Sequence, residues 1–456
     1  MLMAYKIKRI KEKILLSEST AVYRERKDCR VLLFTTSVDY CQFFCLKIFV
    51  RIGSRNCMYD RLKKIREVRR MSILLIVSLI ACCAMIISSV TLAVGMKKMR
   101  RLGDMEAGGA ADGPLVSLVV PACNEEKNIE KSLMSLLSQE YANLEILVVN
   151  DRSTDNTAAV LKRLKSRFPR LTILEIVDLP GGWMGKSHAL ATGAALARGE
   201  YLLFTDADVV LEKTTISRAV AYMQGNRLDH LTLGFKNVTR GWLLNSLILD
   251  AGMGLLFLFR PWTVKKSSSR SFMGIGAFNM LKRAVYQEIG GHEEIKMHPI
   301  DDLMLGKLIK QHGFYQDCLL ADNFVVVPWY DSVRAMSNGL EKNVFALVHY
   351  RVLLIPVALA AIIIPSIWPL WGLVLGDMTV RTVCLLTLAI RLATFHKGLL
   401  LQGLPEGYLP GALITPYISC YIILKSVFAT MNNDGILWRG RHYPLAELRK
   451  TEPLLF

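Results

Sequence analysis

The strongest chemical signal in this chain is Thr205-Asp206-Ala207-Asp208, which directly follows the apolar run 201–204. Two carboxylates one residue apart at the exit of a buried strand repel each other. A hard divalent cation taking oxygen ligands, with a diphosphate completing its shell, removes that cost. A lone DxD is a common acidic turn, so its place behind a strand and after two other polar motifs is what gives it weight. Further on, Asp301-Asp302 opens the amphipathic run 303–312. Two acids at a helix N-terminus are also what the macrodipole favours, a charge effect of roughly 0.3–1 kcal/mol. Chemically, one of the pair suits a general base that takes a proton from an acceptor hydroxyl. A carboxylate is ionised near neutral pH, so that role needs no large pKa shift.

Two earlier motifs sit after apolar runs as well. Pro121-Ala122-Cys123-Asn124-Glu125-Glu126 opens a helix, and Asn124 reads equally as an N-cap and as a binding residue. Asn150-Asp151-Arg152-Ser153-Thr154-Asp155 also precedes a helix. One carboxylate at each of two strand ends exceeds what capping needs and suits gripping the donors of a base and a ribose. Lys186, after Gly185 and at a helix start, is either a solvated lysine or a counter-charge for phosphate.

These motifs need a scaffold that brings strand ends together. Apolar runs at 115–120, 144–149, 171–177 and 201–205 alternate with helical patterns at 128–139, 156–168 and 187–198. That alternation predicts a doubly wound, mostly parallel α/β sheet, in which ligands bind beyond the C-terminal strand ends. All the polar motifs fall there.

The rest of the chain is membrane-like. Residues 71–96 carry no charge and are bracketed by Arg69-Arg70 and Lys97-Lys98; at about 1.5 Å per residue they cross a hydrocarbon core of roughly 30 Å. Residues 352–376 form a second uncharged stretch with Pro356, Pro365 and Pro369, and 407–424 a third. Residues 380–397 hold Arg381 and Arg391 and read either as a short span or as an interfacial helix. The apolar run 243–259 reads as a membrane-facing helix that guides a lipid acceptor, or as core. The division expected is a basic extension (1–70), one span (71–96), a soluble domain (97–351), two to three C-terminal spans or interfacial helices (352–430) and a tail (431–456).

Charge is uneven: residues 1–70 carry 18 Lys and Arg against 7 Asp and Glu, an excess of 11 out of the chain's 18. This points to membrane topology rather than nucleic acid. The ten cysteines include no CxxC pair, which argues against zinc or a disulfide scaffold. A mean hydropathy of +0.31 excludes disorder.

Taken in order, PACNEE (121–126), VVNDRSTD (148–155), GKSHAL (185–190), DAD (206–208), GIGAFN (274–279) and DDLMLGKLIK (301–310) resemble glycosyltransferase family 2. The likeness is to its membrane-bound bacterial members associated with hopanoid, carotenoid and glycolipid glycosylation, and it extends to Trp438-Arg439-Gly440-Arg441. The resemblance implies a GT-A fold, a UDP- or GDP-sugar donor and inversion at the anomeric carbon. It implies that Pro121, Asn124, Glu125 and Asp151 hold the nucleoside and that Asp206 lies at the ribose-diphosphate side. Asp208 would bind Mg2+ or Mn2+, and Asp302 would be the base. Asn150 stands where many members have an acid. The QxxRW signature of processive polysaccharide synthases is missing, residues 334–343 reading RAMSNGLEKN, which favours transfer of one hexose to a lipid or other hydrophobic acceptor over polymer synthesis. A nucleotidyltransferase would want an early Gly- and Arg-rich triphosphate loop, which is absent.

Nucleotide sugars are made in the cytoplasm, so a multi-pass cell-membrane protein with residues 97–351 facing the cytoplasm is expected. A cytosolic segment 1–70 followed by one crossing would put that domain outside, and a crossing at 31–50 would bury Asp39 and Lys47. A natural start near Met71 resolves the conflict.

Overall fold

The computed structural model describes residues 55–107 and 113–455. The expectations for residues 1–54, including a crossing at 31–50, lie outside the described residues. Two compact units divide the chain, residues 1–73 and 74–456. The described part of the first is the opening of a long helix, α1 (Arg55–Lys98). Everything below concerns the second.

There β1 (Val116–Ala122), α2 (Ile129–Leu137), β2 (Leu144–Asp151), α3 (Thr157–Arg167), β3 (Leu171–Ile176), α4 (Gly185–Leu196) and β4 (Tyr201–Phe204) alternate as the periodicity predicts. They are followed by β5 (Val210–Leu211), α5 (Thr215–Gly225), β6 (His230–Gly234), β7 (Lys236–Asn237) and α6 (Trp242–Phe259). Next come β8 (Asn279–Lys282), α7 (Arg283–Glu288), α8 (Asp301–Gln311), β9 (Gln316–Leu320) and β10 (Val325–Val327). The last part holds α9 (Val333–Leu347), α10 (Ile355–Ile362), α11 (Trp368–Leu375), α12 (Met378–Gln402) and α13 (Gly411–Asn432). A hairpin, β11 (Gly435–Trp438) and β12 (Arg441–Pro444), and α14 (Leu445–Leu448) complete it.

The main sheet has the order β3-β2-β1-β4-β8-β6-β9. Neighbours run parallel except at β8, which is antiparallel to both β4 and β6. This is the doubly wound, mostly parallel α/β sheet that the alternation predicts, with β8 as its antiparallel member. Its strands are apolar on both faces because helices cover both. In β1, Leu118 and Val120 enter one buried layer with Ile129, Leu133 and Leu136 of α2, while Val119 enters the other with Ala189 and Leu190 of α4. The register aligns Ala122 with Asn150 and Val119 with Phe204, so β1 and β2 end side by side and β4 stops three residues short of the end of β1.

Among the described residues, five helices are long and apolar enough to cross a membrane: 70–98, 242–263, 352–375, 378–402 and 411–432. The chain is a membrane protein. Residues 352–375 form one kinked run, with a π-helical turn at Ile363–Ile367 around Pro365, whose missing N–H cannot continue the α pattern. The helix at 242–263 is different, because both its ends are tied to the same sheet system. At its start Asn245 donates to the carbonyls of Thr239 (3.0 Å) and Gly241 (2.9 Å), and at its end Phe259 is buried with Leu202 and Phe204 of β4. A helix that leaves and re-enters one soluble domain cannot cross, so α6 lies along the membrane helices, packed on α12 and α13.

Arg391 decides between the two readings of 380–397. It is 7% exposed and donates to Ala412 O (2.8 Å), Ser366 Oγ (3.1 Å) and Asp250 Oδ2 (3.0 Å). Thr415 Oγ1 donates to the same Asp250 oxygen at 2.7 Å. An arginine turned inward onto a carboxylate belongs to a spanning bundle and not to an interfacial helix, where it would reach for water. The clamp ties α6, α12 and α13 together. Arg391→Ala is expected to cost about 3–5 kcal/mol by stranding the buried Asp250, read as a lower unfolding temperature in detergent. The double variant Arg391→Leu/Asp250→Leu should recover most of it, and equal loss in both would refute the account.

Candidate functional site

The ends of β1, β2 and β4 converge, and their motifs are stitched together by backbone-to-side-chain bonds. Asn124, at φ +57°, accepts from the Thr154 (2.7 Å) and Asp155 (3.3 Å) N–H groups. It therefore caps the second motif's loop and not its own helix, which starts at Ile129. Glu126 accepts from Asn156 N–H, while the Glu125 N–H donates to Thr157 Oγ1 at 2.8 Å. Pro121 lies within β1, one residue before the strand's end.

Asp151 is not free for a base. Its two oxygens accept from Arg152 Nε (2.7 Å) and Nη2 (3.0 Å), and only 5% of its side chain is exposed. Arg152 sits at φ +54°, and that turn folds its guanidinium back onto the preceding carboxylate. Sequence reasoning missed Arg152, because nothing in its type or spacing announces a left-handed residue. Gly185 is needed beside this pair, since a Cβ there would lie 2.5 Å from Asp151 Oδ2.

Lys186 joins the two acidic motifs. Its Nζ is 2.7 Å from Asp206 Oδ1 and 3.5 Å from Asp301 Oδ2. Burial works against its charge, but Asp206 and Asp301 outweigh it and hold the ammonium above its ordinary range. Among the described residues Asp208 makes no ion pair, and Lys186 only partly offsets the effects on it. Burial, then Asp206 and Glu125, push its carboxyl up to about 7, so the pocket holds more negative charge than the chain neutralises. Among the described residues no three metal-ligating side chains cluster. Two carboxylates fit a hard divalent ion only if the substrate's phosphate oxygens complete its shell. Residues and ion are compatible on that condition.

The two acids of the pair line the same cavity but have different partners. Asp301 is buried and carries Lys186; burial opposes its ionisation, yet Lys186, Lys342 and His292 keep its pKa below the usual range. Asp302 accepts from the Gly276 N–H at 2.9 Å. Burial and the adjacent Asp301 push it up to about 6, where the sequence alone suggests an ordinary carboxylate. Of the residues singled out in the sequence, Lys186, Asp206 and Asp302 line one small cavity, together with Gly276, His292 and Asp301, whereas Pro121, Asn124, Glu125, Asp151 and Asp208 do not line it.

The GIGAFN segment acquires a physical role. A Cβ on Gly274 would sit 1.8 Å from the Asp302 carbonyl oxygen, and one on Gly306 would sit 2.2 Å from that of Met273. Paired glycines let this loop press against α8 and seat the acids. Gly276 lies where a Cβ would meet Asp206 Oδ2 at 2.6 Å and Lys186 Nζ at 3.1 Å. Gly276→Ala is therefore expected to displace both charges and lower turnover by about 10²-fold, with the unfolding temperature little changed. Wild-type turnover in that variant would refute the role.

The C-terminal residues, read as a tail, fold onto the domain. Leu445, Leu448 and Leu454 are buried with Leu305 and Ile309 of α8, and Glu452 pairs with Lys307 at 2.6 Å. Arg439, between β11 and β12, reaches Glu125 Oε1 at 3.2 Å. Alternating patterns this short carry little signal in a sequence.

Comparison with known proteins gives the following likenesses. The family model described as "Glycosyl transferase family 2" matches residues 117–290. An "Uncharacterized glycosyltransferase" of Haemophilus influenzae is 35% identical over 119 residues, 26% of this chain and 35% of the relative. A "4,4'-diaponeurosporenoate glycosyltransferase" of Staphylococcus aureus is 28% identical over 237 residues, 50% of this chain and 60% of the relative. The chain thus matches less than two thirds of either relative's length. "Mannosyltransferase PcManGT from Pyrobaculum calidifontis in complex with GDP-Man and Mn2+" superposes with a TM-score of 0.49 at 18% identity, over 75% of this chain and 99% of that one.

Proposed function

We propose that this protein, whose residues 117–290 form a glycosyltransferase family 2 domain, is a membrane-bound inverting enzyme that moves one sugar from a UDP- or GDP-sugar to a lipid-like acceptor. The observation that carries the reading is Lys186, bonded at once to the DxD carboxylate Asp206 and to Asp301 of the acid pair. One lysine thereby links a diphosphate-and-metal site to a base site across the sheet's C-terminal edge. Residues 97–351 would be the catalytic domain, facing the cytoplasm where donors are made, and α6 along the bundle would guide an apolar acceptor.

In this mechanism the acceptor oxygen attacks the anomeric carbon from the face opposite the leaving group. The new C–O bond forms as the bond to the diphosphate oxygen breaks, and the electron pair leaves with the nucleoside diphosphate. The acceptor proton goes to the Asp302 carboxylate. Asp208 and Asp206 would hold Mg2+ or Mn2+, whose Lewis acidity offsets the charge on the leaving diphosphate. Lys186 supplies a fixed positive charge beside the same oxygens. The Asn124–Thr154 bonds hold the nucleoside-binding loops in register, and Glu125 and Asp151 border that pocket.

The assay is transfer of radiolabel from UDP-glucose, GDP-mannose or UDP-GlcNAc to membrane lipid extract by the purified full chain. Labelled lipid of one-sugar mass supports the reading. A labelled polymer overturns single transfer, and no transfer with any donor overturns the lipid-acceptor reading.

A further inference from the structure

The hairpin β11–β12 begins at Gly435, directly after the last membrane helix ends at Asn432. Its two-residue turn is Arg439-Gly440, with φ +47° and +75°, and Trp438 pairs with Arg441. Both turn residues are left-handed, the geometry that matches strand twist in a tight hairpin. The hairpin is rooted: Leu445 N–H donates to Asp434 O (2.9 Å) and His442 Nε2 bonds Asn433 O (2.8 Å).

Its side chains reach separate walls of the site. Arg441 donates to Leu179 O at 3.0 Å, before α4. Tyr443 is buried, with the Arg441 guanidinium 6.0 Å from its ring centroid. Trp438 lies under Lys342, whose Nζ is 4.5 Å from the ring centroid. Arg439 alone meets a carboxylate, Glu125, and 44% of its side chain stays exposed. Glu125 follows β1, whose parallel neighbour β4 leads directly into Asp206 and Asp208. A guanidinium held by one partly exposed carboxylate beside a phosphate-type site can exchange that partner for phosphate oxygens, which it binds in the same bidentate way.

We propose that the C-terminal hairpin is a wall of the donor site and that Arg439 is a ligand of the donor's diphosphate, parked on Glu125 until the donor arrives. This rests on the donor reading above and assigns a binding residue outside the 117–290 domain. Membrane anchoring and donor binding would then meet in one short element, since the hairpin is a direct continuation of α13.

The test uses the full chain in detergent with Mg2+ and measures affinity for UDP, GDP, UMP and GMP by calorimetry. The wild type should bind one diphosphate more tightly than its monophosphate. Arg439→Ala should weaken that diphosphate by about ten- to a hundredfold and the monophosphate by much less, while Arg439→Lys keeps part of the preference. Equal weakening of both nucleotides would assign Arg439 a structural role and overturn the proposal, as would an unchanged preference or a wild type without one. A wild type that binds neither UDP nor GDP would instead sink the donor reading, and the proposal with it.

Discussion

Asp302→Asn should lower turnover by about 10²–10⁴-fold, the usual loss when a general base is removed. The change keeps the side chain's size and still allows its oxygen to accept from Gly276 N–H, a bond of 2.9 Å in the wild type. Nucleotide affinity should persist, because Glu125, Asp206 and Asp208 are untouched. The wild-type rate should also depend on pH in a defined direction. Burial and Asp301 raise the Asp302 carboxyl to about 6, and only its ionised form accepts a proton, so turnover should fall as pH drops through about 6. The Asn variant's residual rate should lack that limb. Asp301→Asn tests the division of labour. Asp301 is buried against Lys186, so this variant should lose about 1–3 kcal/mol of stability, more than a helix-terminus charge alone would predict. A fully active Asp302→Asn enzyme beside a dead but stable Asp301→Asn one would reverse the roles.

The second large effect concerns Asp208. Asp208→Asn should abolish metal-supported transfer, since the diphosphate site loses a carboxylate ligand. A readout independent of activity comes from folding. In the metal-free protein, burial and the neighbouring acids raise Asp208 to about 7, whereas an unfolded chain releases that proton near pH 4. Between those values the folded state binds more protons, so its stability falls as pH rises and the penalty is complete above about pH 7. Asp302, raised to about 6, acts in the same direction. Mn2+ or Mg2+ should therefore raise the unfolding temperature more at pH 8 than at pH 5.5, and Asp208→Asn should remove most of that metal-induced rise while stabilising the metal-free protein at pH 8. A metal shift independent of pH and of Asp208 would exclude the assignment.

Local pattern made part of this site legible. DAD at 206–208 follows a four-residue buried strand, and Asp301-Asp302 opens an amphipathic helix; both signals are short-range and survive in sequence. The alternatives at Asn124 and Lys186 could not be resolved that way. Asn124 bonds Thr154 and Asp155, some thirty positions on, and Lys186 bonds Asp301, more than a hundred positions on. Partners that distant leave no trace in spacing. Arg152 was missed because its significance is a backbone dihedral.

The sequence by itself determined the long apolar stretches, the strand–helix alternation and the acidic motifs, because these follow from hydropathy and periodicity along the chain. Only the tertiary structure decided that α6 runs alongside the bundle without crossing, since that depends on where both its ends return. It also decided that Arg391 is clamped by Asp250 and that the C-terminal residues pack behind α8 and bring Arg439 to Glu125. Each of these is a contact between segments far apart in the chain, and the energy of burying charge or apolar surface is set by what lies across the contact, which the local sequence does not contain.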